Sequence, residues 1–187
     1  MELARSKKEI CLSQRKYTID LLKETDMIGC KPINTPMDSV HKLGNNNDDT
    51  PTDKGRYQLL VGRHLYLSHT RPDIDFVVSV VSQFMNCPSE DHMNAVFRIL
   101  RYLKSSSGKG LLFTSKADKS IRVFTDADWA GDITDKKSTS GYCSFVWGNL
   151  ITWRSKKQFV VAWSSAEAEY RSLALRICEE IWIMPHP

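Results

Sequence analysis

No stretch of this sequence holds the roughly 18 consecutive apolar residues that a membrane span needs, so no transmembrane helix is expected. The N-terminal Met-Glu-Leu-Ala-Arg-Ser-Lys-Lys has charge but no apolar segment after it, so nothing here marks secretion and an intracellular protein is the expectation. Cysteine is sparse. Cys11, Cys30, Cys87, Cys143 and Cys178 show no CxxC spacing and read as free thiols, not as a disulfide framework or zinc site. His41, His64, His69, His92 and His186 form neither an HxxxH nor an HExxH pair, and read as surface or satisfied core residues. A Gly-rich phosphate loop and a nucleophile elbow are also missing, which argues against P-loop chemistry and serine or cysteine hydrolysis.

What is present describes a globular chain. The 187 residues are 41% hydrophobic and 26% charged, outside the range of disordered tails. A formal charge of +4 is compatible with a polyanionic partner without requiring one.

The texture changes along the chain. Residues 1–40 contain one short amphipathic stretch in which Tyr17, Leu21 and Leu22 recur at helical spacing, followed by Pro32 and Pro36. The polar, breaker-rich run around 41–56 reads as a linker or surface loop. Residues 57–106 read as helices. Pro72 suits the first position of one, with Asp73 complementing its dipole, and Ser89 caps another whose Met93, Val96, Phe97, Leu100 and Leu103 form a single stripe. From residue 107 the apolar period falls from 3.6 to 2. Runs at 111–114, 121–126, 141–147 and 150–153 read as short strands, with Gly148-Asn149 as a tight hairpin turn. Helical spacing then returns, with Tyr170, Leu173, Ile177 and Ile181 expected on the buried face. The fold class expected is α+β: a helical N-terminal half, then three antiparallel strands crossed by one helix.

Six acids near these strands and this helix invite comparison: Asp126, Asp128, Asp132, Asp135, Glu167 and Glu169. Ser164-Ser-Ala-Glu167 fits a capping box, which gives Ser164 and Glu167 a structural role. Glu169 is about 200° around the helix from Glu167 and heads the stripe expected to pack on the sheet. A buried acid needs a cationic partner or a metal, and both readings stay open. Asp126 ends the first strand of this region and, beside a helix-borne glutamate, could hold a divalent ion through hard oxygens. Asp128 shares its face if the strand continues, as an accessory acid. Asp132 and Asp135 sit among turn residues and should be solvated.

Four segments in fixed order carry a resemblance: Val123-Phe-Thr-Asp-Ala-Asp-Trp-Ala-Gly131, Lys137-Ser-Thr-Ser-Gly-Tyr142, Ile151-Thr-Trp-Arg-Ser-Lys-Lys-Gln158 and Ser164-Ser-Ala-Glu-Ala-Glu-Tyr-Arg171. Together they resemble the ribonuclease H region of copia-type LTR retrotransposon Pol polyproteins. Upstream, Thr70-Arg-Pro-Asp-Ile74 and Arg98-Ile-Leu-Arg-Tyr-Leu-Lys104 resemble the segment joining reverse transcriptase to ribonuclease H. Leu12-Ser-Gln-Arg-Lys-Tyr17 and Cys30-Lys-Pro-Ile-Asn-Thr-Pro36 resemble the end of the polymerase. The implied organisation is polymerase end at 1–40, linker at 41–56, helical connection at 57–106 and a truncated ribonuclease H-like domain at 107–187.

The family cuts RNA in RNA/DNA hybrids with two Mg²⁺ ions, and the resemblance makes Asp126 and Glu169 two of the ligands. The remaining ligands are expected beyond residue 187, so the chain should be catalytically silent, holding at most one weak ion. The polymerase's Tyr-Val-Asp-Asp motif is absent, which excludes DNA synthesis. Arg63-His64 and Trp163 depart from the smaller or aliphatic residues usual there, and Met184-Pro-His-Pro187 breaks a helix that the family continues. Without later strands the first strand's outer edge should stay unpaired. The alternative to a silent enzyme fragment is a non-catalytic remnant, either without function or binding nucleic acid weakly. In the second case Arg98, Arg101, Lys104, Lys136, Lys137, Lys156 and Lys157 would meet phosphates, with solvated side chains as the plainer reading of each.

Overall fold

A computed structural model describes residues 1–38, 43–44, 50–115, 119–132 and 134–183, the last six in backbone alone. The chain is α+β and divides into two compact units, Met1–Ser115 and Lys116–Pro187.

The first unit is less purely helical than the sequence pattern implies. Two short strands, β1 (Glu2–Arg5) and β2 (Glu9–Ser13), precede helix α1 (Arg15–Glu24). After α2 (Lys54–Ser68), α3 (Pro72–Ser82) and α4 (Glu90–Ser105), strand β3 (Gly110–Thr114) returns to pair antiparallel with β2. The run at 111–114 is therefore a strand, but it closes the first unit's sheet, of order β1-β2-β3, and not the sheet that follows. Gly110 marks the junction, because a Cβ there would meet the Leu12 carbonyl oxygen at 2.3 Å. The short β1 and β2 runs offer too few alternating residues to register as strands on their own.

Helix α2 begins at Lys54, inside the stretch read as linker, because Asp53 caps it: its Oδ1 accepts the Arg56 N–H at 3.0 Å. Positions 39–42 and 45–49 of that stretch lie outside the described residues. Pro72 starts α3 and Ser89 caps α4, whose His92 Nδ1 accepts the Ser89 N–H. The helices meet over a core that includes Leu21, Tyr57, Val61, Leu67, Ile74, Val78, Val96, Leu100 and Leu103. Each such aliphatic side chain contributes about 1.5–3 kcal/mol by leaving water.

A polar cluster locks this unit. Arg71, only 2% exposed, grips Asp73 through Nε (2.8 Å) and a terminal nitrogen (2.7 Å). Its other bonds go to the Ser106 carbonyl and hydroxyl, while the Tyr102 hydroxyl donates to Asp73. The Arg-Pro-Asp segment thus ties the start of α3 to the end of α4. Burial pushes the Asp73 carboxyl up, but the bonds from Arg71 and Tyr102 and the Arg71 charge outweigh it and hold it below the usual range.

In the second unit β4 (Ile121–Asp128), β5 (Thr139–Val146) and β6 (Asn149–Lys157) form an antiparallel sheet of order β4-β5-β6, followed by α5 (Ser165–Ile183). The β5–β6 turn is Trp147-Gly148, one residue earlier than the sequence suggests. Both residues take positive φ (52° and 70°), as a two-residue hairpin of matching twist requires.

The face that α5 turns to the sheet differs from expectation. Tyr170, Leu173 and Ile177 are exposed, at 72%, 45% and 48%, while Ala168, Ser172 and Arg176 are buried. Ile181 and the closing Met184–Pro187 lie outside the described side chains. Spacing alone selects the apolar stripe, but the face against the sheet carries two small side chains and an arginine that finds polar partners there. Ser172 Oγ donates to the Asp126 carbonyl at 3.1 Å, and the Arg176 guanidinium bonds the Ser144 hydroxyl and lies 4.5 Å from the Tyr142 ring centroid.

Candidate functional site

Strand β4 continues past Asp126 to Asp128, so Asp126 lies within the strand and not at its end. Its cross-strand neighbour is Gly141, which leaves the carboxylate uncrowded and exposed. From the second turn of α5, Glu169 reaches the same strand: its Oε1 accepts the Ala127 N–H at 3.2 Å. Glu169 is itself exposed, and heads no buried stripe. Its second carboxylate oxygen stays available beside the residue that follows Asp126. The two acids are therefore brought to one end of one strand by a backbone hydrogen bond, not by burial in a core. Both offer the hard oxygen donors that suit Mg²⁺. Among the described residues no group of three or more acids, histidines or cysteines is placed to hold a metal ion.

The other acids have structural work. The Asp128 carboxylate accepts the Thr139 N–H and packs against Gly131, where a Cβ would come within 1.9 Å of Oδ2. It anchors the loop between β4 and β5. Asp132 and Asp135 are not simply solvated. Lys157 Nζ sits between them at 2.6 and 3.0 Å, and Asp132 also accepts the Thr134 and Asp135 N–H groups. Burial pushes both carboxyls up, yet the bonds from Lys157 and from backbone N–H groups hold both below their ordinary range and keep Lys157 above its own.

Ser164 accepts the Glu167 N–H at 3.2 Å, as an N-cap does. Glu167 reaches back one residue further than a capping box implies, to the Trp163 N–H at 2.8 Å, and also takes Arg171 at 2.7 Å. The Trp163 bond, then Arg171, lowers its carboxyl from the ordinary value.

Most of the cations expected to meet phosphate are engaged within the protein. Arg98 pairs with Asp38 at 3.3 Å and bonds Thr35; Arg101 and Lys104 donate to the carbonyls of Lys31 and Cys30. These three stitch α4 to the segment that follows α1. In the second unit Lys157 is clamped as described, Lys137 lies 3.4 Å from Asp135 and Lys156 lies over the Phe159 ring. Lys136 is exposed at a positive-φ turn position.

Sequence reasoning missed Ser172 and Gln158. Gln158 is buried and donates to the Ser140 hydroxyl and the Ala168 carbonyl, tying the end of β6 to β5 and α5. Ala168, Ser172 and Arg176 recur at i, i+4, i+8, a signal that an apolarity-weighted reading passes over. Cys11, Cys30, Cys87 and Cys143 are free thiols, and no described helix is long and apolar enough to cross a membrane.

The chain is similar to the retrovirus-related Pol polyprotein from transposon RE1 of Arabidopsis thaliana, 45% identical over 92% of this chain and 12% of that protein. It is similar to the corresponding polyprotein from transposon TNT 1-94 of Nicotiana tabacum, 39% identical over 96% of this chain and 14% of that one. The uncharacterized mitochondrial protein AtMg00810 of Arabidopsis thaliana is 37% identical over 91% of this chain and 71% of its own length. The chain thus spans only about an eighth of the length of the RE1 and RE2 polyproteins it matches. No protein-family model matches it, and neither does any solved structure.

Proposed function

Because the chain belongs to the family of retrovirus-related Pol polyproteins from copia-type transposons, we propose that its second unit is the front of a ribonuclease H-like domain, with Asp126 and Glu169 as two oxygen ligands of a Mg²⁺ site. The observation that carries this reading is the Ala127–Glu169 hydrogen bond, which holds the helix acid beside the strand acid. Asp126 and Glu169 would hold such an ion through their carboxylate oxygens, and the ion would supply the positive charge that polarises water and phosphodiester oxygens. Two carboxylates suit one loosely held ion, so this chain by itself binds Mg²⁺ weakly and leaves RNA/DNA hybrids uncut. Its contact with nucleic acid is weak and salt-sensitive, since internal bonds engage most of its cations.

Calorimetric titration of Mg²⁺ into the wild type, Asp126→Asn and Glu169→Gln tests the site. One weak binding event, lost in both variants, is expected; binding unchanged in both overturns the assignment. A hybrid-cleavage assay run alongside should show no product. Cleavage lost in both variants would keep the site and overturn the silence, and cleavage surviving both would overturn the site.

A further inference from the structure

Helix α5 covers only part of the second unit's sheet. Ser172 Oγ sits between β4 and β5, donating to the Asp126 carbonyl at 3.1 Å and reaching the Gly141 carbonyl at 3.5 Å. Strand β6 lies beyond them, on the far side of β5 from β4. Side chains alternate along it, so Arg154 and Lys156 share the face of Gln158, which donates to the Ala168 carbonyl of the helix. Both cations thus stand on the helix side of the sheet, yet both stay exposed. Register places Arg154 opposite Tyr142 and Lys156 opposite Ser140.

A cavity of about 470 Å³ occupies this corner. Tyr142, Arg154 and Lys156 line it from the sheet, and Arg171, Ala174 and Leu175 from the helix, with the Phe159 ring just past the end of β6. No acid is among the described residues that line it. Arg171 is answered by Glu167 at 2.7 Å. Arg154 has no hydrogen bond or ion pair among the described residues, and Lys156 has only the Phe159 ring, 4.9 Å from its Nζ to the centroid. Phe159 and Leu175 are 79% and 57% exposed, so apolar surface lies wet beside two unanswered cations. Cavities of roughly 300–1,000 Å³ with apolar walls and a few convergent polar groups suit small molecules.

We propose that this cavity binds a small organic acid, its flat apolar body against Phe159, Tyr142 and Leu175 and its single carboxylate between Arg154 and Lys156. The planar guanidinium fork matches a carboxylate, and the apolar body takes the walls out of water. A bare inorganic anion leaves those walls wet. The inference uses neither Asp126 nor Glu169, so it fails or holds separately from the metal reading.

An NMR titration of the backbone amides of the full chain tests it, with naphthalene carboxylate and its uncharged isostere, naphthalene carboxamide. The carboxylate should shift the signals of Arg154, Lys156, Arg171 and Leu175 and saturate as one site. An exposed ion pair contributes up to about fivefold in affinity and two act here, so the carboxamide should bind about tenfold more weakly. Arg154→Gln combined with Lys156→Gln should bring the carboxylate down to the affinity of the carboxamide. Ala174→Trp, which fills the cavity from the helix, should abolish binding of both compounds in a chain that keeps its folded spectrum. Equal affinity of the wild type for the two compounds overturns the proposal. So does inorganic phosphate shifting the same signals at the same concentrations, which marks a bare patch of charge. A single-stranded oligonucleotide that binds these residues more tightly than the carboxylate also overturns it, in favour of a phosphate chain.

Discussion

Replacing Asp73 by Ala removes the anion that holds the buried Arg71 guanidinium. Breaking one side of a buried ion pair costs about 3–5 kcal/mol when the remaining charge is left bare. Two features reduce that figure. Asp73 is 30% exposed, so water can enter, and Arg71 keeps its bonds to the Ser106 carbonyl and hydroxyl. The Tyr102 hydroxyl loses its acceptor, which adds a neutral hydrogen bond of about 1 kcal/mol. The net loss expected is about 2–3 kcal/mol, read as a lowered urea midpoint in far-ultraviolet circular dichroism. Asp73→Asn, which keeps the shape and one acceptor oxygen, should lose about half as much. The depressed Asp73 carboxyl also fixes the direction of the pH effect. Its stabilisation is complete above the unfolded value of 3.8 and fades as pH falls through the lower folded value, so wild type and Asp73→Asn should converge in strong acid. A loss below about 0.5 kcal/mol for Asp73→Ala would refute the reasoning, because surface pairs behave in that way.

His64 is wholly buried, and burial lowers its imidazole to about 4 against 6.5 for the free group. The unfolded chain therefore takes up the proton first: stability is full above pH 6.5 and falls by about 3 kcal/mol as pH drops to 4, at about 1.4 kcal/mol per pKa unit. Thermal melts of the wild type should show that acid limb, and His64→Leu should lack it; equal limbs in both would reject the assignment. Lys157→Met, which releases Asp132 and Asp135, should lower stability by about 1 kcal/mol and leave hybrid affinity unchanged. A fall in hybrid affinity with stability intact would instead assign Lys157 to phosphate.

The α+β class, the starts of helices α3 and α4 and the three-strand order of the second unit are all legible in the residues. Each rests on short-range rules: Pro72 at a first helical turn, Ser89 at a cap, and side-chain alternation along β4 to β6. The strands β1 and β2 were not legible, since nothing local marks a short strand whose partner β3 follows a hundred residues of helix and loop. The buried face of α5 was misjudged for the opposite reason. Its apolar stripe is real, but Ser172 and Arg176 find hydrogen bonds on the sheet that no periodicity records.

The acids divide along the same line. Strand position and family likeness single out Asp126 and Glu169 from the sequence alone. Only the tertiary structure shows that Lys157 sits between Asp132 and Asp135 and that Asp128 accepts the Thr139 N–H. A residue's type and place in an element are written locally. Whether its charge is spent is decided by groups that folding brings from elsewhere in the chain.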